Sequence, residues 1–326
     1  MKYFLGLDGG GSKTFTVVVD ETGHLLGRGH GGPGNYQTVG IEEALRSYRE
    51  AIEEALREAG ITIHQVTFAE FGLAGADRQK DLNILLPAIE TTGFAYWDVV
   101  CDTFEGLRTG SRENVGVILV CGSGTNAAGR NLRGDTVQIG GFGYLFGDTA
   151  GGHYLAQEAF RAAARAWDRR GPKTSLSEKI PRYHGLGDMG EVLAYYWDND
   201  LYKTSLDMCK LLHEAADEGD EMAIQILRAC GEELGVAANA VIDHLAGFEG
   251  MEIPIVLVGS VIQKGRNMHL LNALDDEIRT RHDSFRLVVP EMAPVFGAVL
   301  LAMDHVGLPV TEDMEHQFVS YGGHEG

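Results

Sequence analysis

Two short glycine-rich segments carry side chains suited to binding phosphate. Residues 8–14 are DGGGSKT and residues 122–126 are GSGTN, and each follows an apolar run. Consecutive N–H groups in a glycine turn can bind phosphate oxygens, because no Cβ holds the ligand off the backbone. Asp8, at the end of its strand, could hold Mg²⁺ through water. These segments favour a nucleotide phosphate as ligand, although each one alone could be a plain glycine turn.

Neither segment matches a standard nucleotide motif. Lys13 lies one residue too far from Gly11 for a P-loop, and a P-loop must open a helix, whereas a strand is predicted to follow here. The second segment contains GxG, but it is also followed by a predicted strand, unlike a dinucleotide-binding turn. Two hairpin tips that hold phosphates are the better interpretation. Their candidate residues are Gly9, Gly10, Gly11, Ser12, Lys13, Thr14, Gly122, Ser123, Gly124 and Thr125.

Two further positions follow predicted strands. Gly259 and Ser260 end the apolar run 256–258 and could contact an adenosine, although a strand followed by Gly-Ser is very common. Asp102 directly follows the apolar run 97–101. A carboxylate at the carboxyl end of a sheet strand is a candidate catalytic group. The alternative is an Asp that caps a helix starting near Thr103.

The apolar pattern predicts mixed sheets with helices packed on them. Strands are expected at 3–7, 15–19, 25–29, 66–73 and 97–101, with a helix at 41–59 that ends at Gly60. A similar pattern begins again with strands predicted at 115–120, 127–131 and 136–139. A helical region at 175–247, strands at 255–258 and 285–289 and a helix at 293–306 follow, and the polar tail 312–326 is expected to be frayed. The repeated hairpin indicates a weak internal duplication, and two like domains would leave a cleft for ligands.

Size and charge exclude several functional classes. The chain has 326 residues, which fits two domains, and a formal net charge of −20, which makes nucleic acid an unlikely partner. No run of about 20 apolar residues predicts a membrane span, and no signal peptide is evident, so a cytoplasmic location is expected. The four cysteines form no CxxC pair, and the histidines form no HxH or HExxH motif, so neither a zinc site nor a histidine metal cluster is expected.

Taken together, in this order and spacing, the motifs resemble those of the actin–hexokinase superfamily of ATPases. The chain more closely resembles the BadF/BadG/BcrA/BcrD ATPase family, in its N-acetylglucosamine kinase-like branch. The resemblance extends from Lys2 to about His305. The matching segments are 5–14, 122–126, 258–260, 140–148 followed by a long helix, and 293–299.

The resemblance implies a fold and an assembly. The fold would be α/β, with two duplicated ribonuclease H-like (actin-like ATPase) domains that have mixed sheets and flank a central cleft. The first domain would comprise residues 1–110, completed by the helix 293–306, and the second would comprise residues 111–292. A homodimer is also implied.

The resemblance also implies an activity. ATP with Mg²⁺ would phosphorylate the 6-hydroxyl of N-acetylglucosamine or a related amino sugar, with Asp102 as the catalytic base. Sugar contacts of the family map onto Asn35, Asp102, Ser123, Asn126, Gly141 and Asp148. Similar kinases often carry an acidic residue directly after the Asp equivalent to Asp148. This chain has Thr149 there, which leaves the exact sugar open.

Two other classes remain as alternatives. The same family includes ATPases that activate acyl-CoA dehydratases or reductases, and these hold an iron–sulfur cluster through cysteines. None of Cys101, Cys121, Cys209 and Cys230 lies in a matching loop. Sugar-sensing regulators share the fold but usually add a helix-turn-helix domain, and this chain begins directly at the first predicted strand.

Overall fold

The computed structural model describes residues 1–322 and contains two five-stranded sheets, each with helices packed on it. The chain divides into two compact units. The first is Met1–Ile118 together with the chain from Pro290 onward, and the second is Leu119–Val289. Among the described residues, no helix is both long and apolar enough to cross a membrane.

The first sheet has the strand order β3-β2-β1-β4-β5. Strands β1, β2 and β3 are antiparallel neighbours, whereas β4 and β5 run parallel to β1. The strands are β1 (Tyr3–Gly9), β2 (Thr14–Asp20), β3 (Leu25–Gly31), β4 (Val66–Leu73) and β5 (Trp97–Cys101). The helices of this unit are α1 (Tyr36–Val39), α2 (Ile41–Ala59), α3 (Gln79–Glu90), α4 (Asp102–Gly110), α12 (Pro294–His305) and α13 (Glu312–Ser320), and a 3₁₀ turn lies at Ile63–Gln65.

Glycines let helix α2 lie directly on strand β3. A Cβ added at Gly27, Gly29 or Gly31 would meet a backbone carbonyl oxygen of α2 at 2.1, 1.9 or 2.1 Å. The predicted bounds of α2 are confirmed, and Gly60 ends the helix in the left-handed conformation with φ 68°.

The end of the chain returns to the first sheet, and there one prediction was wrong. Residues 312–320 form helix α13 instead of a frayed tail. Met314 and Phe318 lie four residues apart on one face and are buried, and the Phe318 ring stacks on Phe296 of α12 with centroids 5.0 Å apart. The segment is otherwise mostly polar, so these two apolar residues do not stand out as a helix pattern in the sequence. The remainder of the predicted tail, residues 323–326, lies outside the described residues.

The second sheet repeats the order of the first. Its order β10-β9-β6-β7-β8 corresponds to 5-4-1-2-3 when its strands are renumbered along the chain, as in the first sheet. The expected fold class, a duplicated α/β fold with mixed sheets, is therefore confirmed. The strands are β6 (Gly116–Cys121), β7 (Thr125–Arg130), β8 (Thr136–Ile139), β9 (Ile253–Val258) and β10 (Phe285–Val288).

Between β8 and β10 the second unit is mostly helical. The predicted helical region divides into four helices, because Gly185 ends one in the left-handed conformation and Asp188 and Asp220 cap the starts of others. The helices of the unit are α5 (Gly152–Trp167), α6 (Leu176–His184), α7 (Met189–Asp198), α8 (Asp207–Asp217), α9 (Glu221–Leu245), α10 (Ser260–Gln263) and α11 (Met268–Arg279), and a 3₁₀ turn lies at Tyr144–Phe146.

Candidate active site

The first glycine-rich segment forms the tip of the β1–β2 hairpin. The N–H of Gly10 donates to the carbonyl of Lys13 at 3.0 Å, which closes the turn. A Cβ at Gly11 would meet nothing within 4 Å, and Gly11 and Ser12 are exposed. The tip therefore presents backbone to the surroundings, as a phosphate-binding turn requires. Gly9 and Thr14 lie at the ends of the two strands and position the turn.

Asp8 lies at the end of β1 among other carboxylates. Burial, and to a smaller extent the negative charge of Asp102, raises the pKa of Asp8 to about 7, although a hydrogen bond with Glu105 and the charge of Lys13 oppose this. A carboxylate so placed is stabilised by a nearby cation. Carboxylate oxygens are the ligands that Mg²⁺ prefers, so the donor set at Asp8 fits this ion.

Asp102 is the first residue of α4, directly after β5. Burial raises its pKa, and the charge of Asp77 adds to this effect. Cys101 Sγ lies 3.3 Å from an Asp102 oxygen and 3.2 Å from an Asp77 oxygen, so one thiol lies between the two carboxylates. The predicted alternative, a cap for α4, is not supported, because Cys101 occupies the N-cap position.

Two acidic residues of this cluster were missed by the sequence analysis. Glu105 is 1% exposed, and burial together with the charges of Asp8 and Asp102 raises its pKa well above the usual range. It occupies space that Gly72 leaves open, since a Cβ at Gly72 would lie 1.9 Å from a Glu105 oxygen. The only sequence signal was the spacing of three residues from Asp102, which places both on one face of a helix. Asp77 had no local signal.

The predicted sugar residue Asn35 lies in a loop beside the first hairpin. The N–H of Gly34 donates to the carbonyl of Gly10 at 2.8 Å, which attaches this loop to the tip. Asn35 caps α1, with its side-chain oxygen accepting from the N–H of Gln37 at 2.9 Å. Its side-chain NH₂ is therefore the group that it could offer to a sugar hydroxyl.

In the second unit, two loops contact the second glycine-rich segment. The N–H of Gly152 donates to the carbonyl of Gly122 at 2.8 Å, and a Cβ at Gly151 would lie 2.5 Å from the backbone of Gly124. Gly259 has φ 100°, and a Cβ there would lie 2.4 Å from the carbonyl group of Cys121. The structure therefore brings the predicted second phosphate turn and the predicted adenosine loop into contact.

A cavity of about 590 Å³ lies beside these loops. It is lined by the predicted phosphate residues Gly122 and Ser123 and the predicted adenosine residue Ser260, together with α8. Sequence analysis did not identify α8 as part of the site, because its contribution comes from tertiary packing. Its lining residues are Asp207, Cys209, Lys210, His213, Glu214 and Asp217.

The remaining predicted sugar residues of this unit line two smaller cavities. One, of about 380 Å³, includes Ser123, Thr125, Gly141 and Asp148. The other, of about 210 Å³, includes Asn126, Gly141 and Asp148, together with Glu233 of α9, which sequence analysis missed. An Asp148 oxygen accepts from the N–H of Gly143 at 2.5 Å, so its carboxylate also holds the loop 140–148 in shape.

Each compact unit thus contains part of the predicted residue set. The first contains the Mg²⁺ candidate, the catalytic candidate, the first phosphate turn and Asn35. The second contains the second phosphate turn, the adenosine loop and the other sugar candidates. The chemistry that these groups can perform is the binding of a nucleotide phosphate and the removal of a proton by the half-buried carboxylate of Asp102.

The chain is similar to proteins of one known family. The model of the BadF/BadG/BcrA/BcrD ATPase family matches residues 5–302. An N-acetylmuramic acid/N-acetylglucosamine kinase from Clostridium acetobutylicum is 28% identical over 93% of this chain and 98% of its own. An N-acetyl-D-glucosamine kinase from Dictyostelium discoideum is 29% identical over 92% of this chain and 98% of its own.

A solved structure shows the same architecture. A Chromobacterium violaceum protein assigned as an N-acetylglucosamine kinase matches with a TM-score of 0.68 and 25% identity, over 93% of this chain and 99% of its own. A ROK family glucokinase from Streptomyces griseus, solved with glucose and AMPPNP, matches with a TM-score of 0.59 over 93% of this chain and 99% of its own. At 18% identity, the second likeness shows the fold alone.

Proposed function

Because the chain belongs to the BadF/BadG/BcrA/BcrD ATPase family, we propose that it is an ATP-dependent sugar kinase that phosphorylates the 6-hydroxyl of N-acetylglucosamine or a related amino sugar. The observation that carries this proposal is the position of Asp102, whose half-buried carboxylate directly follows β5 in the same unit as the Asp8 hairpin. The kinase names of the two relatives support it.

Phosphoryl transfer requires mainly positioning and stabilisation of charge. The N–H groups of the two glycine turns, with the side chains of Ser12, Lys13 and Thr125, would bind the phosphates of ATP. Gly259 and Ser260 would contact its adenosine. Mg²⁺ held by Asp8 would neutralise phosphate charge.

Asp102 would accept the proton of the attacking sugar hydroxyl. Its raised pKa suits this role, since a base whose pKa approaches the working pH accepts a proton more readily. Asn35, Ser123, Asn126, Gly141 and Asp148 would hold the sugar. The implied homodimer stays a prediction.

The test is ADP release from Mg-ATP in the presence of single sugars. The panel should contain N-acetylglucosamine, N-acetylmannosamine, glucosamine and glucose. Turnover that depends on one of the amino sugars, with product phosphate on the 6-hydroxyl by NMR, is the expected result. ADP release that no sugar stimulates would overturn the proposal and favour an ATPase activator, for which an iron–sulfur cluster would then be sought.

Loss of sugar contacts should change sugar affinity more than nucleotide affinity. Asn35→Ala and Asp148→Ala are each expected to raise KM for the sugar about tenfold, the cost of one lost hydrogen bond to a polar ligand, with KM for ATP changed much less. Steady-state kinetics with each substrate varied in turn would measure both constants. A larger rise in KM for ATP than for the sugar would remove the residue concerned from the sugar site.

The pH profile should report the raised pKa of Asp102. The base must be ionised, so kcat/KM should fall as the pH drops through the pKa of Asp102. This acidic limb of the pH profile should have its midpoint above the ordinary Asp pKa near 4. Asp77→Asn removes the neighbouring negative charge and keeps an oxygen for the thiol of Cys101, so the limb should move to lower pH. A limb that stays in place, or moves to higher pH, would contradict the assignment.

A further inference from the structure

Three residues of the first unit that take no part in the proposed kinase chemistry bring their side chains together. Glu70 lies on β4, Asp98 on β5, and His305 at the end of α12. The Nε2 atom of His305 lies 3.3 Å from a Glu70 oxygen and 3.4 Å from an Asp98 oxygen. The three ligand atoms all lie within 4.8 Å of one another.

The two distances from His305 suit a tetrahedral metal ion. Zinc bonds to imidazole nitrogen and carboxylate oxygen are about 2.0–2.2 Å long, and ligand atoms at tetrahedral angles are then about 3.3–3.5 Å apart. The two distances from His305 Nε2 fall in this range. Imidazole and carboxylate together are ligands that suit Zn²⁺ and its neighbours in the first transition series.

An ordinary ion pair accounts less well for the arrangement. A single Nε2–H cannot point at both carboxylates. Glu70 is completely buried, and among residues 1–322 its carboxylate has no hydrogen-bond or ion-pair partner besides His305, at 3.3 Å. A buried carboxylate with a single partner is costly, and a bound cation would lower that cost.

The neighbours of the group hold the ligand atoms in place. The ring of Phe68 stacks on the ring of His305, with centroids 4.4 Å apart and an interplanar angle of 12°. One Asp98 oxygen accepts from the N–H of Val99 at 2.8 Å, and the other is the one that faces His305. The side chains of Asp98 and His305 are 48% and 38% exposed, so an ion and a water molecule can reach the site from solvent.

We propose that Glu70, Asp98 and His305 bind a divalent transition-metal ion, with Zn²⁺ as the preferred ion and water as the fourth ligand. The ion links the end of α12 to two strands from the first part of the chain. Its role is therefore to stabilise the first unit. The proposal does not depend on the kinase activity.

The test measures how much Zn²⁺ the full-length protein binds and how the bound ion changes its melting temperature. After equilibrium dialysis against micromolar Zn²⁺ with Mg²⁺ in large excess, wild type should retain a single Zn²⁺ per chain and melt at a higher temperature than the metal-free protein. His305→Ala should weaken binding at least tenfold and remove the rise in melting temperature. Glu70→Gln, which keeps the size of the side chain and removes a buried charge, should do the same.

His282→Ala is the matched control. His282 Nε2 also lies 3.3 Å from a carboxylate oxygen, that of Asp243, but this pair does not belong to a group of three ligands within the described residues. This variant should keep the zinc. Bound Co²⁺ should give the strong visible absorption of tetrahedral coordination in wild type and in this control. Wild type without stoichiometric zinc, or zinc retained by both His305→Ala and Glu70→Gln, would overturn the proposal.

Discussion

Replacing Asp102 with Asn should lower kcat about a hundredfold or more and leave ATP binding nearly intact. A general base contributes roughly 10²–10⁴-fold to a rate, and Asn cannot accept the proton of the sugar hydroxyl. Asn keeps the size of the side chain, and the phosphate turns lie on other segments, so the nucleotide should bind as before. Steady-state kinetics would give kcat, and calorimetry would give the dissociation constant for ATP.

A change at a carboxylate that is not part of the proposed site controls for the substitution itself. Asp275→Asn removes an acid on the surface of α11 that pairs with Arg279 at 2.6 Å, and kcat should stay within about twofold of wild type, because surface pairs contribute little. Full activity of Asp102→Asn would remove Asp102 from the mechanism. A matching loss of ATP affinity would instead assign it to the nucleotide site.

Replacing Gly29 with Val should lower the free energy of unfolding by more than about 4 kcal/mol, or prevent folding of the first unit. A Cβ at Gly29 would lie 1.9 Å from the backbone carbonyl oxygen of Ala51. No side-chain rotation can relieve this clash, because the backbone fixes the positions of both atoms. The backbone of α2 also packs directly against Gly27 and Gly31. A shift of the helix away from Gly29 would therefore break its packing against these two glycines. Urea unfolding followed by circular dichroism would measure the change.

His30→Val is the matched control, because it places the same side chain, Val, at the next position of the same strand. His30 is exposed, and Val favours strands, so the free energy of unfolding should change by no more than about 1 kcal/mol. Equal stability of the two variants would contradict the close packing of α2 on β3.

The elements could be predicted because their signals are local. The apolar stripe and Gly60 predict both ends of α2. Pairs of apolar runs separated by a glycine-rich turn predict both hairpins. Asp8, Asp102 and Ser123 could be identified as candidates because each follows a predicted strand. The α13 helix was missed because Met314 and Phe318 are an apolar signal too weak to stand out in a polar segment.

By itself, the sequence determined the two hairpins, the duplicated α/β order and the candidate residues at the strand ends, because neighbouring residues carry that information. Only the tertiary structure decided which carboxylates lie together. Glu105 lies beside Asp8 because Gly72 leaves room for it, and His305 meets Glu70 because α12 packs on a sheet built from the start of the chain. Such contacts depend on packing between distant segments, which no local pattern records.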